Sequence, residues 1–431
     1  MARVKKSNIF AAVGAATGLG NAFRFPALCV SYGAAFIIAY AAVLILVCFP
    51  LMCAELYVGK GVGRGRAAKL LSFVMRLAAA NSALIALYYG VICSKLGGAC
   101  LSFAAIGRAD GGVLFFIIAA ASVIAVVFLL LGGGARALSR SGALSVTLSL
   151  LLFPCLAVAG IVRGKIFSSV DFSVLAGGAV WADALGQALL ALSLASGVMP
   201  ALARSRGVRN VPLTAAAITG ANFIGCLASA CATLPFVTAF PEGGGINVAL
   251  TVYPQVISAV APNAAAARFI GFAVYAVLTV VAVHSLCSLA LPAVEYASAK
   301  VKRAPLIFCL LAAATLPVFA LGDCCVLTAC DRMACSVTAI IIALDECLAF
   351  AVRRNADGKA VKFFIRFACV PACGALALFS LCSARFSGFP PVAVAAAYLA
   401  LAAVAACGVA PPLIRFLKRR GFKSTELRKQ N

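Results

Sequence analysis

Apolar residues run along this chain in blocks of twenty or more, separated by short polar stretches rich in Arg and Lys. A helix needs about 20 apolar residues to cross a bilayer. Blocks near 8–28, 34–58, 77–106, 112–132, 143–162, 180–203, 210–240, 265–299, 305–323, 331–352, 364–384 and 390–416 meet that length and predict twelve spans of an all-α, polytopic membrane protein. No soluble domain fits between them. Only Arg3, Lys5 and Lys6 precede the first block as basic residues, and no small-residue cleavage site follows it, so it reads as a retained span.

Two blocks are interrupted. The stretch GLGNAFRFP, Gly18 to Pro26, puts two glycines and a proline into a helical ladder, with an amide and a fixed charge at Asn21 and Arg24. In span 6, Ser193-Leu194-Ala195-Ser196-Gly197 precedes Pro200. Freed backbone groups survive in hydrocarbon only where protein or a cavity satisfies them. Interruptions five spans apart predict an inverted five-helix repeat with its site at the midplane. Residues 1–162 form the first repeat, 180–353 the second, 364–416 two additional spans and 417–431 a basic tail, all in a single transmembrane domain. Between spans 7 and 8, Pro241 to Pro262 is too polar to span and too apolar to float, which predicts a re-entrant hairpin.

Composition sharpens the class: 64% of residues are hydrophobic and 11% charged, with a mean hydropathy of +1.10. The net charge of +24 does not signal nucleic acid, because the basic residues alternate with the spans and 28 of the 36 share the side of the N-terminus. That bias predicts cytoplasmic termini, with the bilayer and its anionic headgroups as partners. Most of the 19 cysteines lie in spans as small hydrophobes, while Cys324, Cys325 and Cys330 flank an external loop where pairing is feasible. The absence of an N-x-Ser/Thr sequon fits a prokaryotic inner membrane. An enzyme is not expected, since no Ser/His/Asp, Cys/His or metal constellation assembles and His284 is the only histidine.

In order along the chain, GAATGLGNAFRFP, YGAAFIIAY, FPLMCAEL, ALYYG, GQALLALSLASG, Asn222, GGGINVALTVYP and LDE resemble the neurotransmitter:sodium symporter family, typified by the bacterial leucine transporter. The resemblance implies a secondary active transporter moving an amino acid or related small solute, coupled to sodium by alternating access. It implies a first sodium site at Ala16 (carbonyl), Asn21, Ala191 and Asn222, where Ala191 departs from the family's hydroxyl. Gly18, where amine carriers of the family have aspartate, implies a substrate that brings its own carboxylate. That group would be held by Leu19, Gly20 and the Tyr89 hydroxyl, with Ala16 and Ser193 carbonyls toward the ammonium and Ile85, Leu190, Ser196 and Leu289 as walls.

The resemblance further implies an external gate of Arg24 and Asp331, and a second cation site of Gly14, Thr17, Val281, His284 and Ser285. A histidine suits a hard ion poorly, so proton coupling at His284 stands as the alternative to a second sodium. Tyr40, Gln187, Asn222 and Cys226 match the family's chloride site with some hydroxyls replaced, which leaves chloride dependence open. The family's tryptophan-containing inner lock has no counterpart, so the inner gate is built differently, with Glu295 a candidate. A sensor or channel on the same scaffold is the competing reading. The particular substrate and the oligomeric state are not encoded in any motif.

Overall fold

The computed structural model describes residues 14, 20–61, 66–110, 112–163, 171–206, 208, 210–236, 248–299, 301–321, 324–351, 359–382 and 394. Ala16, Thr17, Gly18 and Leu19, the outer part of the re-entrant loop, nearly all of span 12 and the basic tail lie outside the described residues.

Thirteen helices are described. They are α1 (Phe25–Tyr32), entered through a π-turn at Gly20–Arg24, then α2 (Ala35–Lys60), α3 (Arg66–Ile106), α4 (Gly112–Gly132), α5 (Gly134–Arg163), α6 (Gly178–Ala191) and α7 (Val198–Arg206). There follow α8 (Val211–Thr233), α9 (Tyr253–Val260), α10 (Ala264–Ser298), α11 (Ala304–Leu321), α12 (Val326–Ala351) and α13 (Lys359–Cys382). Eight of these are long and apolar enough to cross a membrane. The protein is a multi-pass membrane protein, and it wears apolar side chains outward: Val113 and Leu129 of α4, Val162 of α5 and Val318 of α11 are exposed.

The repeat is visible in the packing. α3 and α10, third helices of their halves, lie against one another along most of their lengths. α2 packs on α8, the second helices, while α4 rests on α3 and α11 on α10. α1 corresponds to the pair α6 and α7, which is span 6 cut in two. Helix α3 starts at Arg66, well before the apolar block at 77, because its first turns are amphipathic: Lys69 is exposed, while Leu71 and Val74 are buried.

The break between α6 and α7 is sharp. Ser193, Ala195 and Gly197 have φ of 51°, 53° and 78°. Only the last suits a left-handed backbone, and each of the other two costs about 1–3 kcal/mol. Helix α2 braces them. Glu55 Oε1 accepts the Ala195 N–H at 2.7 Å. One turn on, Gly59 lets α2 pass so close to α7 that a Cβ there would sit 2.6 Å from the Pro200 carbonyl. The Ser196 hydroxyl closes the gap from within, donating to the Ser193 carbonyl and accepting the Val198 N–H at 3.3 Å. Glu346 of α12 approaches Glu55 from the far side, so both intramembrane acids belong to the support of the break.

The π-turn of α1 receives equivalent support. Gln187 Nε2 donates to the Gly20 carbonyl at 2.9 Å, and Ser229 Oγ and the Tyr253 hydroxyl donate to the Ala22 carbonyl at 3.2 and 3.3 Å. Tyr253 belongs to α9, whose Tyr253, Val256 and Ile257 are buried, so the described part of the re-entrant segment does dip into the bundle. Removing the Glu55 acceptor strands a buried N–H, which costs about 1–3 kcal/mol. Glu55→Ala is therefore expected to lower the melting temperature of the purified protein, and Glu55→Gln, which keeps a carbonyl acceptor, to retain most of it.

Candidate functional site

Helices α1, α2, α6 and α8 converge where α1 opens into its π-turn. Asn222 Nδ2 donates to Asn21 Oδ1 at 3.1 Å, and the Tyr40 hydroxyl donates to Asn222 Oδ1 at 2.7 Å. Cys226 Sγ lies 3.6 Å from that hydroxyl. Gly20 rests against α6: a Cβ there would meet Gln187 Nε2 at 3.5 Å and the Ala191 Cα at 3.7 Å. Asn21, Ala191 and Asn222 are thus neighbours, and the expected anion set of Tyr40, Gln187, Asn222 and Cys226 lies in the same knot. The amide oxygens of Asn21 and Asn222 are donors of the kind a hard monovalent cation takes, and each here also accepts a protein hydrogen bond. The anion set fits its group less well, because the Tyr40 O–H and a Gln187 N–H are directed onto protein oxygens.

The residues expected around the substrate also gather. Ile85, Tyr89 and Leu289 share one buried cluster with Ala22 and Phe23, and Leu190 packs against it. Ser193 and Ser196 lie in the break, where the Ser196 hydroxyl is turned onto backbone.

Above this junction Arg24 Nε stands 3.6 Å from Asp331 Oδ2, with side chains 15% and 26% exposed. Sequence reasoning found that pair but missed its fittings: Arg24 Nη2 donates to Ser336 Oγ at 2.9 Å, and the Tyr88 hydroxyl donates to Asp331 Oδ1 at 3.0 Å. The doubled tyrosine of ALYYG was the available signal, since one ring of the two serves the acid.

Comparison with known proteins agrees with this geometry. Residues 3–97 match the family described as the sodium:neurotransmitter symporter family. No curated protein matches in sequence. Among solved structures, MhsT in complex with L-phenylalanine superposes with a TM-score of 0.74 at 19% identity, covering 88% of this chain and 98% of that one. The fold of that structure therefore extends well beyond residue 97, through most of this chain.

The second cation position departs from a symporter sodium site in its donors. His284, 1% exposed, sits one turn beyond Val281 on α10. Its Nδ1 lies 2.9 Å from Ser141 Oγ of α5, and its Nε2 lies 3.4 Å from Ser288 Oγ. Gly14 packs onto α5 so tightly that a Cβ would meet the Gly142 carbonyl at 2.7 Å. The imidazole fills the space between α5 and α10 with both ring nitrogens beside hydroxyls, and nitrogen is a weak donor to sodium. These residues do not fit that ion.

Two outcomes are expected. Asp331→Ala should reduce transport several-fold and lower the melting temperature measurably, because it leaves the largely buried Arg24 guanidinium without its carboxylate and the Tyr88 hydroxyl without its acceptor. His284→Thr, which substitutes an oxygen donor, should steepen the sodium dependence of ligand-induced thermal stabilisation.

Proposed function

We propose that this chain is a sodium-coupled symporter that carries an α-amino acid through a cell membrane by alternating access, with both termini cytoplasmic. The carrying observation is the junction itself. Interrupted span 1 meets α8 at Asn21 and Asn222, the freed backbone of the two breaks is met by side chains from α2, α6, α8 and α9, and the Arg24–Asp331 pair lies nearby. Such an arrangement binds a small polar solute and an ion at mid-membrane and undergoes no covalent chemistry.

The substrate class rests on Gly18, on the burial of Tyr89, and on the likeness in fold to MhsT, solved in complex with L-phenylalanine. The carboxylate would be received by the N–H groups of Leu19 and Gly20 and the Tyr89 hydroxyl, the ammonium by carbonyls at Ala16 and Ser193, and the side chain by Ile85, Leu190 and Leu289. Sodium at the first site would supply a positive charge next to that carboxylate, held by Asn21, Asn222 and the carbonyls of Ala16 and Ala191. No further ion is required of the His284 position, and the commitment of the Tyr40 and Gln187 donors favours chloride independence.

Uptake into proteoliposomes, screened across amino acids under imposed sodium or proton gradients, tests the reading. A sodium gradient should drive accumulation of at least one amino acid, and binding without accumulation would point to a sensor. In thermal-shift measurements with sodium, amino acids should stabilise the protein by several degrees and their decarboxylated amines should not. Stabilisation by amines alone would overturn the assignment.

A further inference from the structure

A cavity of about 400 Å³ opens at the end of the bundle where α3 begins and α7 and α10 finish. Ser72 and Met75 form one wall, Gly197 and Pro200 the roof beside the strained break, and Arg204 and Glu295 the flanks. Along α3, Ser72 lies sixteen residues before Tyr88, which holds Asp331, so at 1.5 Å per residue the cavity is about 24 Å from the outer ion pair. The two ends are in opposite conditions. Arg24 and Asp331 stand together at 3.6 Å, whereas Arg204 and Glu295 are exposed on facing walls and make no ion pair with each other among the described residues.

We infer that Arg204 and Glu295 are the latch of this inner vestibule, drawn together when the outer pair separates. The inference rests on the alternating-access reading and supplies an inner gate built from described residues. Three observations carry it. The charges are opposite and sit on different helices, α7 and α10, so pairing them pulls the walls of the cavity together. Arg204 is on the short arm below the break, attached through Ser193, Ala195 and Gly197, whose left-handed torsions form a natural hinge. Glu295 lies three residues beyond Pro292, whose ring packs on Gly197 at the same hinge: a Cβ on Gly197 would meet Pro292 Cβ at 3.3 Å. Movement of the α7 arm about Gly197 therefore changes the Arg204–Glu295 separation directly.

The test reads accessibility, so it needs neither the transported solute nor its ion. Ser72→Cys is introduced on the cavity wall and labelled in detergent with a hydrophilic maleimide, with the parent protein as baseline for native thiols. Arg204→Ala and Glu295→Ala should each raise the labelling rate about two- to fivefold, the range expected for losing a partly solvated ion pair. The exchange Arg204→Glu with Glu295→Arg should restore the original rate. Unchanged rates in both single variants, or an exchange that labels as fast as they do, would overturn the latch. Arg204→Gln and Glu295→Gln repeat the measurement without loss of side-chain volume should an alanine variant fold poorly. As an independent arm, Arg204→Cys combined with Glu295→Cys should cross-link under copper–phenanthroline, and no cross-link means the walls never meet. If labelling responds as stated while no amino acid is accumulated, the latch stands and the substrate assignment falls; the reverse pattern removes the latch alone.

Discussion

The polar side chains gathered at the two breaks answer one constraint: a backbone amide or carbonyl released from a helix in hydrocarbon must be met by protein, because lipid offers nothing in return. The chain releases such groups twice, at Gly20–Arg24 and at Leu192–Gly197, and draws their partners from α2, α6, α8 and α9. Gln187, Ser229, Tyr253 and Glu55 are scattered along the sequence with no shared motif. Their common feature is the carbonyl or N–H each one meets.

The same constraint holds the break in a strained backbone. Left-handed torsions at Ser193 and Ala195 store strain that a hydrogen bond to a carboxylate, worth about 1.5–3 kcal/mol, offsets in large part. A segment poised in this way changes conformation at little net cost, which suits a joint between a rigid upper arm, α6, and a short lower one, α7. The bracing helix α2 holds the fulcrum still by contacting both the N–H of Ala195 and the backbone of Pro200.

Much of the fold was legible in the chain. The apolar blocks marked the spans, and the interruptions at GLGNAFRFP and near Pro200 marked the repeat, because glycine, proline and intramembrane polar residues have few other uses there. Asp331 and its pairing with Arg24 came from the family resemblance, not from any local signal in the chain. What stayed hidden depends on the register between distant helices. Nothing local says that Tyr88 rather than Tyr89 serves Asp331, that Ser141 of α5 flanks His284, or that Ser196 spends its hydroxyl on its own backbone. Hydropathy also misplaced the start of α3, since an amphipathic first turn carries a helical period without an apolar average.

The outer ion pair bears on how the protein is made. Arg24 is synthesised 312 residues ahead of its hydrogen-bond acceptor Ser336. An arginine in an inserting helix carries a penalty that reaches about 2.5–3.5 kcal/mol at the helix centre on translocon scales. That helix must therefore enter the bilayer weakly committed, shielded by the early neighbours α2 and α3, and reach its final depth only after α12 has been threaded. A segment synthesised early thus finishes assembling late, so substitutions in α12 should act during biogenesis on a helix 312 residues before it.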